Sequence, residues 1–255
     1  VFANWIRSLP PSNRIHRRNT KSRRVRRLTL RLNSLEDRTV PSAFRLGSTA
    51  ADTANSVATD SAGNVYIAGS FNGTVDFDPG AGTTNLSSAG DPGKADAFVA
   101  KYTSAGALVW VGQIIDGTAQ GLAIGPGDTL HVTGSFSGVT DFDLGTGVSN
   151  LTTGPTPTGY VAKYTSAGAL VWARQLGGQT AGVAGDSITT DAAGNVYSTG
   201  TMTIGTGDFD PGAGTFALSN LSGNVETYVS KLNSAGNFVS AFKFSDEPLS
   251  SAGVW

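Results

Sequence analysis

Ten residues occur twice without a change in this chain: Lys101 to Trp110 and Lys163 to Trp172 both read KYTSAGALVW. A third, diverged copy, Lys231 to Ser240, reads KLNSAGNFVS, and the copies start 62 and 68 residues apart. Recurrence of this kind restricts the chain to architectures that stack one supersecondary unit on itself. Two further anchors recur in step. One is Asp60 to Phe71 (DSAGNVYIAGSF), Gly125 to Phe136 (GPGDTLHVTGSF) and Asp191 to Met202 (DAAGNVYSTGTM). The other is Asp76 to Gly82 (DFDPGAG), Asp141 to Gly147 (DFDLGTG) and Asp208 to Gly214 (DFDPGAG).

Alternation and β-branched or aromatic enrichment divide each unit into four strands separated by turn residues. In the first unit they are expected at about Asn55 to Thr59, Val65 to Phe71, Ala97 to Thr103 and Leu108 to Ile114. The first and last pairs are joined by short glycine-containing turns, in which Gly63 and Gly106 supply the positive φ of a tight hairpin. The 34 glycines and the 15% of charged residues agree with short strands and tight turns rather than long helices. Four antiparallel strands per repeat, without helices, form the blade of a β-propeller. The expected fold is therefore all-β and propeller-like, with three four-stranded blades at about 54–115, 119–177 and 186–244. The apolar residues of each blade, in the first unit Val65, Tyr66, Ile67, Phe71, Phe98, Val99, Leu108, Val109 and Trp110, are expected to pack between blades, because a blade cannot bury both faces alone.

Charge divides the chain differently. Residues 1–45 hold twelve Lys and Arg against Glu36 and Asp37, a balance of +10, and the remainder carries −11. The basic run has too little apolar periodicity to pack and repels itself, so residues 1–41 are expected to be a disordered leader preceding the repeats at 42–255. No aromatic residues interleave the run, which argues against a nucleic-acid arm, and no stretch is long enough to span a membrane as a helix. The segment Leu35 to Ser42 (LEDRTVPS) resembles one that follows an Arg-rich leader in large secreted proteins of environmental bacteria, and that resemblance implies an extracellular or cell-surface location.

The pattern D-x-x-G-N-x-Y-x-x-G, here Asp60 to Gly69, followed by the F-V-x-K-x-x-x-x-G-x-x-x-W hairpin, here Phe98 to Trp110, resembles the bacterial seven-bladed β-propeller repeat family labelled SBBP. The resemblance covers roughly residues 42–250 and implies a propeller fold and export, without a single function. Three repeats fall short of the 4 to 8 blades of a closed ring. The ring is expected to be incomplete: a truncated product first, with self-association of two chains into six blades or an open array as the alternatives. Ser245 to Trp255 reads as the start of another repeat.

The residue inventory narrows the chemistry. Without cysteine there is no disulfide, thiolate metal site or cysteine nucleophile, and His16 and His131 lie in unlike segments. The paired carboxylates Asp76 and Asp78, Asp141 and Asp143, and Asp208 and Asp210 are candidate calcium ligands, since carboxylates two apart plus loop carbonyls suit a hard cation. The competing reading makes them Asx turns, with Pro and Gly shaping the reversal. Asn85, Asn150 and Asn220 each begin an N-L-S/T triplet, read as a short loop strand with an Asn turn. The acidic pairs repeat in every unit, whereas an active site gathers different residues at one place, so no catalytic residue is assigned. The expected function is a non-catalytic secreted or cell-surface binding or scaffold protein for an unknown protein or glycan ligand. The alternative is a fragment of an extracellular polysaccharide-acting propeller enzyme, which needs convergent carboxylates from different blades.

Overall fold

Each repeat folds into one antiparallel sheet of four strands plus a small separate hairpin. The computed structural model describes residues 47, 48, 50–89 and 95–244. The expected leader, its LEDRTVPS segment and the further repeat expected over 245–255 lie outside the described residues. The first repeat comprises β1 (Thr53–Thr59), β2 (Val65–Phe71), β3 (Thr74–Asp76), β4 (Asn85–Ser87), β5 (Asp96–Tyr102) and β6 (Leu108–Ile114). The second comprises β7 (Gly121–Gly125), β8 (Thr129–Phe136), β9 (Val139–Asp141), β10 (Asn150–Thr152), β11 (Thr158–Tyr164) and β12 (Leu170–Leu176). The third comprises β13 (Val183–Thr190), β14 (Val196–Met202), β15 (Gly205–Asp208), β16 (Ala217–Asn220), β17 (Glu226–Leu232) and β18 (Phe238–Phe244).

The sheets run β1-β2-β5-β6, β7-β8-β11-β12 and β13-β14-β17-β18, and the hairpins are β3-β4, β9-β10 and β15-β16. The first strands adjoin, β1 against β7 and β7 against β13, which is the arrangement of inner strands around a propeller axis. Across the first junction Asn55 donates to the Ala119 carbonyl at 3.0 Å and the Leu122 amide donates to Ser56 Oγ at 3.1 Å. Among the described residues the first sheet packs on the second and the second on the third, with no comparable packing of the third on the first, so three blades stand side by side without a closed ring.

The turns form as their residues require. Asp60 Oδ1 accepts the amides of Ala62 and Asn64 at 3.0 and 2.9 Å, and Gly63 closes the turn at φ 78°. In the second hairpin the Ala107 amide donates to Thr103 Oγ1 and Gly106 sits at φ 86°. The second blade departs from this pattern. Its first turn, Gly125-Pro-Gly-Asp, is a short 3-10 segment in which Asp128 takes φ 55° and accepts the amide and hydroxyl of Ser61 in the first blade.

Burial follows the blades. One apolar cluster joins blades 1 and 2, a second joins blades 2 and 3, and a third, built on Phe71, Phe77, Phe98 and Tyr102, belongs to blade 1 alone. Of the residues expected between blades, Tyr66 and Val99 are buried in the cluster shared with blade 2 and Trp110 packs half-buried against it, whereas Phe71 and Phe98 belong to the cluster of blade 1 alone and Val109 is exposed. It is 50% exposed, as are Val171 and Val239 at 49% and 47%. These residues occupy the outermost strand of each blade, where every second side chain points away from the neighbouring sheet.

Candidate functional site

The DFD motif is the tip of the hairpin inserted between the second and third strands of each blade. Its phenylalanine, Phe77, Phe142 or Phe209, is fully buried. Phe77 packs against Phe71 and Phe98 with ring centroids 5.6 and 4.9 Å away, and Phe142 against Phe136 and Tyr160 at 5.2 and 4.7 Å. Phe209 lies 4.8 Å from Tyr228, with Met202 in the place of the other ring. The hairpin backbone is tied down as well: the Tyr102 hydroxyl donates to the Phe77 carbonyl and the Tyr164 hydroxyl to the Phe142 carbonyl, both at 3.0 Å.

The aspartates hold the loop around that plug. Asp76 Oδ1 accepts the amides of Asp78 and Thr84 at 3.0 and 2.8 Å, and Asp78 Oδ1 accepts the amide of Gly80 at 2.8 Å. Asp141 and Asp143 bind the amides of Asp143, Ser149 and Gly145 in the same way. Asp208 and Asp210 do so with Asp210, Phe216 and Gly212. The final glycine of the motif is equally specific, because a Cβ on Gly82, Gly147 or Gly214 would overlap Oδ2 of Asp78, Asp143 or Asp210. Each aspartate pair is thus brought together within its own hairpin, and among the described residues no three His, Cys, Asp or Glu side chains gather in a metal-sized group. Calcium ligation by these six residues rests on the Oδ2 atoms and loop carbonyls alone. Thermal unfolding in millimolar calcium and in chelator is expected to give the same midpoint, since a ligand of the folded state must raise it. A clear rise with calcium would instead make the aspartates ligands.

The KYTSAGALVW repeat proves to be a clasp between blades. Lys101 Nζ and Trp110 Nε1 of blade 1 donate to the Ser166 carbonyl in the turn of blade 2 at 3.1 and 3.2 Å. Lys163 Nζ and Trp172 Nε1 of blade 2 donate to the Ser234 carbonyl of blade 3, each at 3.3 Å. The indoles lie directly on the turn glycines: a Cβ on Gly168 would stand 3.1 Å from Trp110, and one on Gly236 2.9 Å from Trp172. Lys101 also pairs with Asp60 at 3.2 Å. Burial alone would raise the Asp60 pKa, but hydrogen bonds from Asn64, Lys101 and Ala62 outweigh it and hold the carboxyl at about 2.

In blade 2 the Asp60 and Tyr66 positions are taken by Gly125 and His131. His131 is fully buried beside the Trp172 ring, centroids 6.3 Å apart. Burial, with the nearby Lys163 charge, pushes its pKa down to about 4. The unfolded chain therefore protonates this imidazole from pH 6.5 downward while the folded chain does not until about 4, so stability falls as pH drops through that window. Urea midpoints at pH 7, 5.5 and 4.5 are expected to decline, and His131→Phe is expected to flatten the decline above pH 4.5. Asp60 adds a second loss lower down, from pH 3.8 toward 2.

Two carboxylates escaped the sequence reading because no repeated motif carries them. Asp96 opens β5 and accepts the amides of Ala89 and Asp116 and the side chain of Gln113. Glu226, at the matching start of β17, pairs with Lys243 at 2.6 Å. A charged residue opening an otherwise apolar strand is the signal that marks them. Of the three triplet asparagines, Asn220 is fully buried and donates to the Met202 and Asn224 carbonyls, which makes it structural.

Repeated four-stranded antiparallel blades with adjoining first strands and interlocking turns define a β-propeller repeat protein. The beta-propeller repeat family SBBP matches two segments of the chain, residues 45–75 and 171–204. No curated protein matches the chain. No described helix is long and apolar enough to cross a membrane.

Proposed function

We propose that the protein is a non-catalytic binding or scaffold propeller acting outside the cell or at its surface, taking a protein or glycan ligand on the hairpin side of its blades. The carrying observation is the set of large apolar side chains exposed on those hairpins. Val139 and Val148 in blade 2 are 65% and 74% exposed, and Ile204, Leu221 and Val225 in blade 3 are 59%, 74% and 64% exposed. Ile204 and Leu221 flank the paired residues Gly205 and Asn220, which puts them together at the open end of β15-β16. Exposed apolar groups on a rigidly anchored loop are a binding feature rather than a folding one. The acidic residues of the same hairpins are spent on holding the loop, which leaves the binding reading ahead of the hydrolytic one. Export is supported by the LEDRTVPS resemblance.

The test is a panel of soluble polysaccharides and immobilised extracellular proteins, read for retention and for release of reducing ends. Retention without chain cleavage is expected, weakened by Leu221→Ser and Val148→Ser. Release of reducing ends would overturn the proposal in favour of an enzyme.

A further inference from the structure

The two junctions between blades are not closed alike. At the first, Gly112 of β6 faces Leu144, the residue that follows the DFD motif of blade 2. A Cβ on Gly112 would stand 2.6 Å from the Leu144 side chain, which packs against the apolar cluster shared by blades 1 and 2. At the second junction these positions differ: Arg174 stands in the place of Gly112, Gly177 in that of Ile115 and Pro211 in that of Leu144. The long apolar filler is gone, and a cleft of about 320 Å³ lies between the blades. Blade 2 contributes Leu151, Arg174 and Gln175 to it, and blade 3 contributes Asp208, Asp210 and Pro211. Its volume falls at the small end of the range for ligand pockets.

The polar groups of this cleft are held in place without being saturated. Arg174 Nε donates to the Gly236 carbonyl of blade 3 at 3.0 Å and Nη1 to the Ala173 carbonyl at 2.9 Å, while the guanidinium lies 5.6 Å from the Trp172 ring. Among the described residues no carboxylate pairs with it, which leaves Nη2 without a partner. Asp208 and Asp210 accept their turn amides through Oδ1. Asp208 Oδ2 and the Gln175 side-chain amide make no hydrogen bond among the described residues. A ligand for this set must offer donors to an aspartate and acceptors to a guanidinium side by side. An anion that pairs with Arg174 also meets two carboxylates, and a cation that pairs with those meets Arg174. A hydroxyl group donates and accepts without charge, so neighbouring hydroxyls can serve both sides at once. Leu151 and Pro211 add apolar surface suited to the C–H face of a sugar ring.

We infer that the cleft between blades 2 and 3 binds a short stretch of an uncharged glycan, with Arg174 and Gln175 donating to its hydroxyls and Asp208 Oδ2 accepting from them. The inference rests on the binding reading proposed above and names its ligand class. The first junction, with the same aspartate pair in Asp141 and Asp143 but with Leu144 packed beside Gly112, has no guanidinium to offer and no part in this binding.

The test is saturation-transfer NMR and calorimetry of the full chain with neutral trisaccharides of glucose, mannose and xylose, and with trigalacturonate and deacetylated chitotriose as charged controls. At least one neutral trisaccharide is expected to bind with a Kd of about 1 mM or below, and both charged controls more weakly. Asp208→Asn keeps an oxygen for the turn amides but turns the second acceptor into a donor, and is expected to weaken that binding about tenfold. Arg174→Gly combined with Pro211→Leu gives the second junction the residues of the first and is expected to abolish it, with folding checked by far-UV circular dichroism. If the double variant does not fold, Asp208→Asn decides. Binding that the variants leave unchanged overturns the inference, as does preference for a charged control or no binding of any neutral trisaccharide. The binding reading survives those outcomes while the wild type still retains a protein or another glycan, and it falls only if nothing is retained.

Discussion

Gly134→Ala is expected to destabilise the protein by roughly 3 kcal/mol, the upper part of the range for overpacking a site that cannot yield. Gly134 lies inside β8 with ordinary strand conformation, so positive φ is not the issue. A Cβ there would overlap the carbonyl oxygen of Thr118 on the segment leading into β7. That carbonyl is fixed from several sides: the Thr118 amide donates to Ser135 at 2.8 Å, and the Thr118 carbonyl accepts the Tyr160 hydroxyl at 2.8 Å. Relief must therefore move the inner edge of the blade, which also carries the junction with blade 1. Gly69 and Gly200 occupy the same place in the other blades, against the carbonyls of Thr53 and Ala184. Both lie opposite a β-bulge, at Ala54/Ser56 and Gly185/Ser187, which is where a strand glycine permits close backbone approach. Gly154→Ala serves as control, since its Cβ would meet nothing nearer than 3.5 Å, and is expected to change stability by less than about 0.5 kcal/mol. Urea midpoints at constant m-value read both. Equal midpoints for the two variants would show that the inner strand yields freely and that the glycine is not a packing requirement.

The same glycine shows what the sequence could and could not disclose. That Gly69, Gly134 and Gly200 recur is visible in the aligned anchors, but the reason lies in a carbonyl on another strand, and one repeated letter does not name its partner. The strand pairs, turns and blade count were legible because they depend on local alternation and on residues such as Asp60 and Gly63 that bind their own neighbours. The hairpins β3-β4, β9-β10 and β15-β16 were half legible. The Asn-Leu-Ser strand could be seen, but its partner Thr74–Asp76 is too short to show alternation. The DFD motif drew attention to its aspartates because carboxylates suggest chemistry, whereas the fully buried side chain of the motif is the phenylalanine between them. In the KYTSAGALVW copy, identity alone could not reveal that lysine and tryptophan act on the serine carbonyl of the next copy. A contact between equivalent parts of successive repeats leaves no trace in either one taken separately.

Phe142→Ala should accordingly cost about 4 kcal/mol, within the range for removing a buried phenylalanine and leaving a cavity. The ring is fully buried, touches the Phe136 and Tyr160 rings, and shares its cluster with Ile114 from the preceding blade. Asp141→Ala removes acceptors for two amides in a loop open to water, so a smaller loss of about 1 kcal/mol is expected, because the freed N–H groups are resolvated. The order of these two variants separates a hairpin built around its plug from one built around its carboxylates. A metal site would reverse that order in the presence of calcium, since Asp141 would then hold an ion as well as a turn. The cluster membership of Ile114 gives a sharper measurement. In a double-mutant cycle, Phe142→Ala and Ile114→Ala are expected to couple by about 1 kcal/mol, because they open one cavity between them. Coupling near zero would mean that the hairpin plugs only its own blade and that the junction between blades rests on the lysine and tryptophan clasp. Coupling of the expected size makes each DFD hairpin part of the surface on which the preceding blade docks, and so ties the outer loops to the stacking of the sheets.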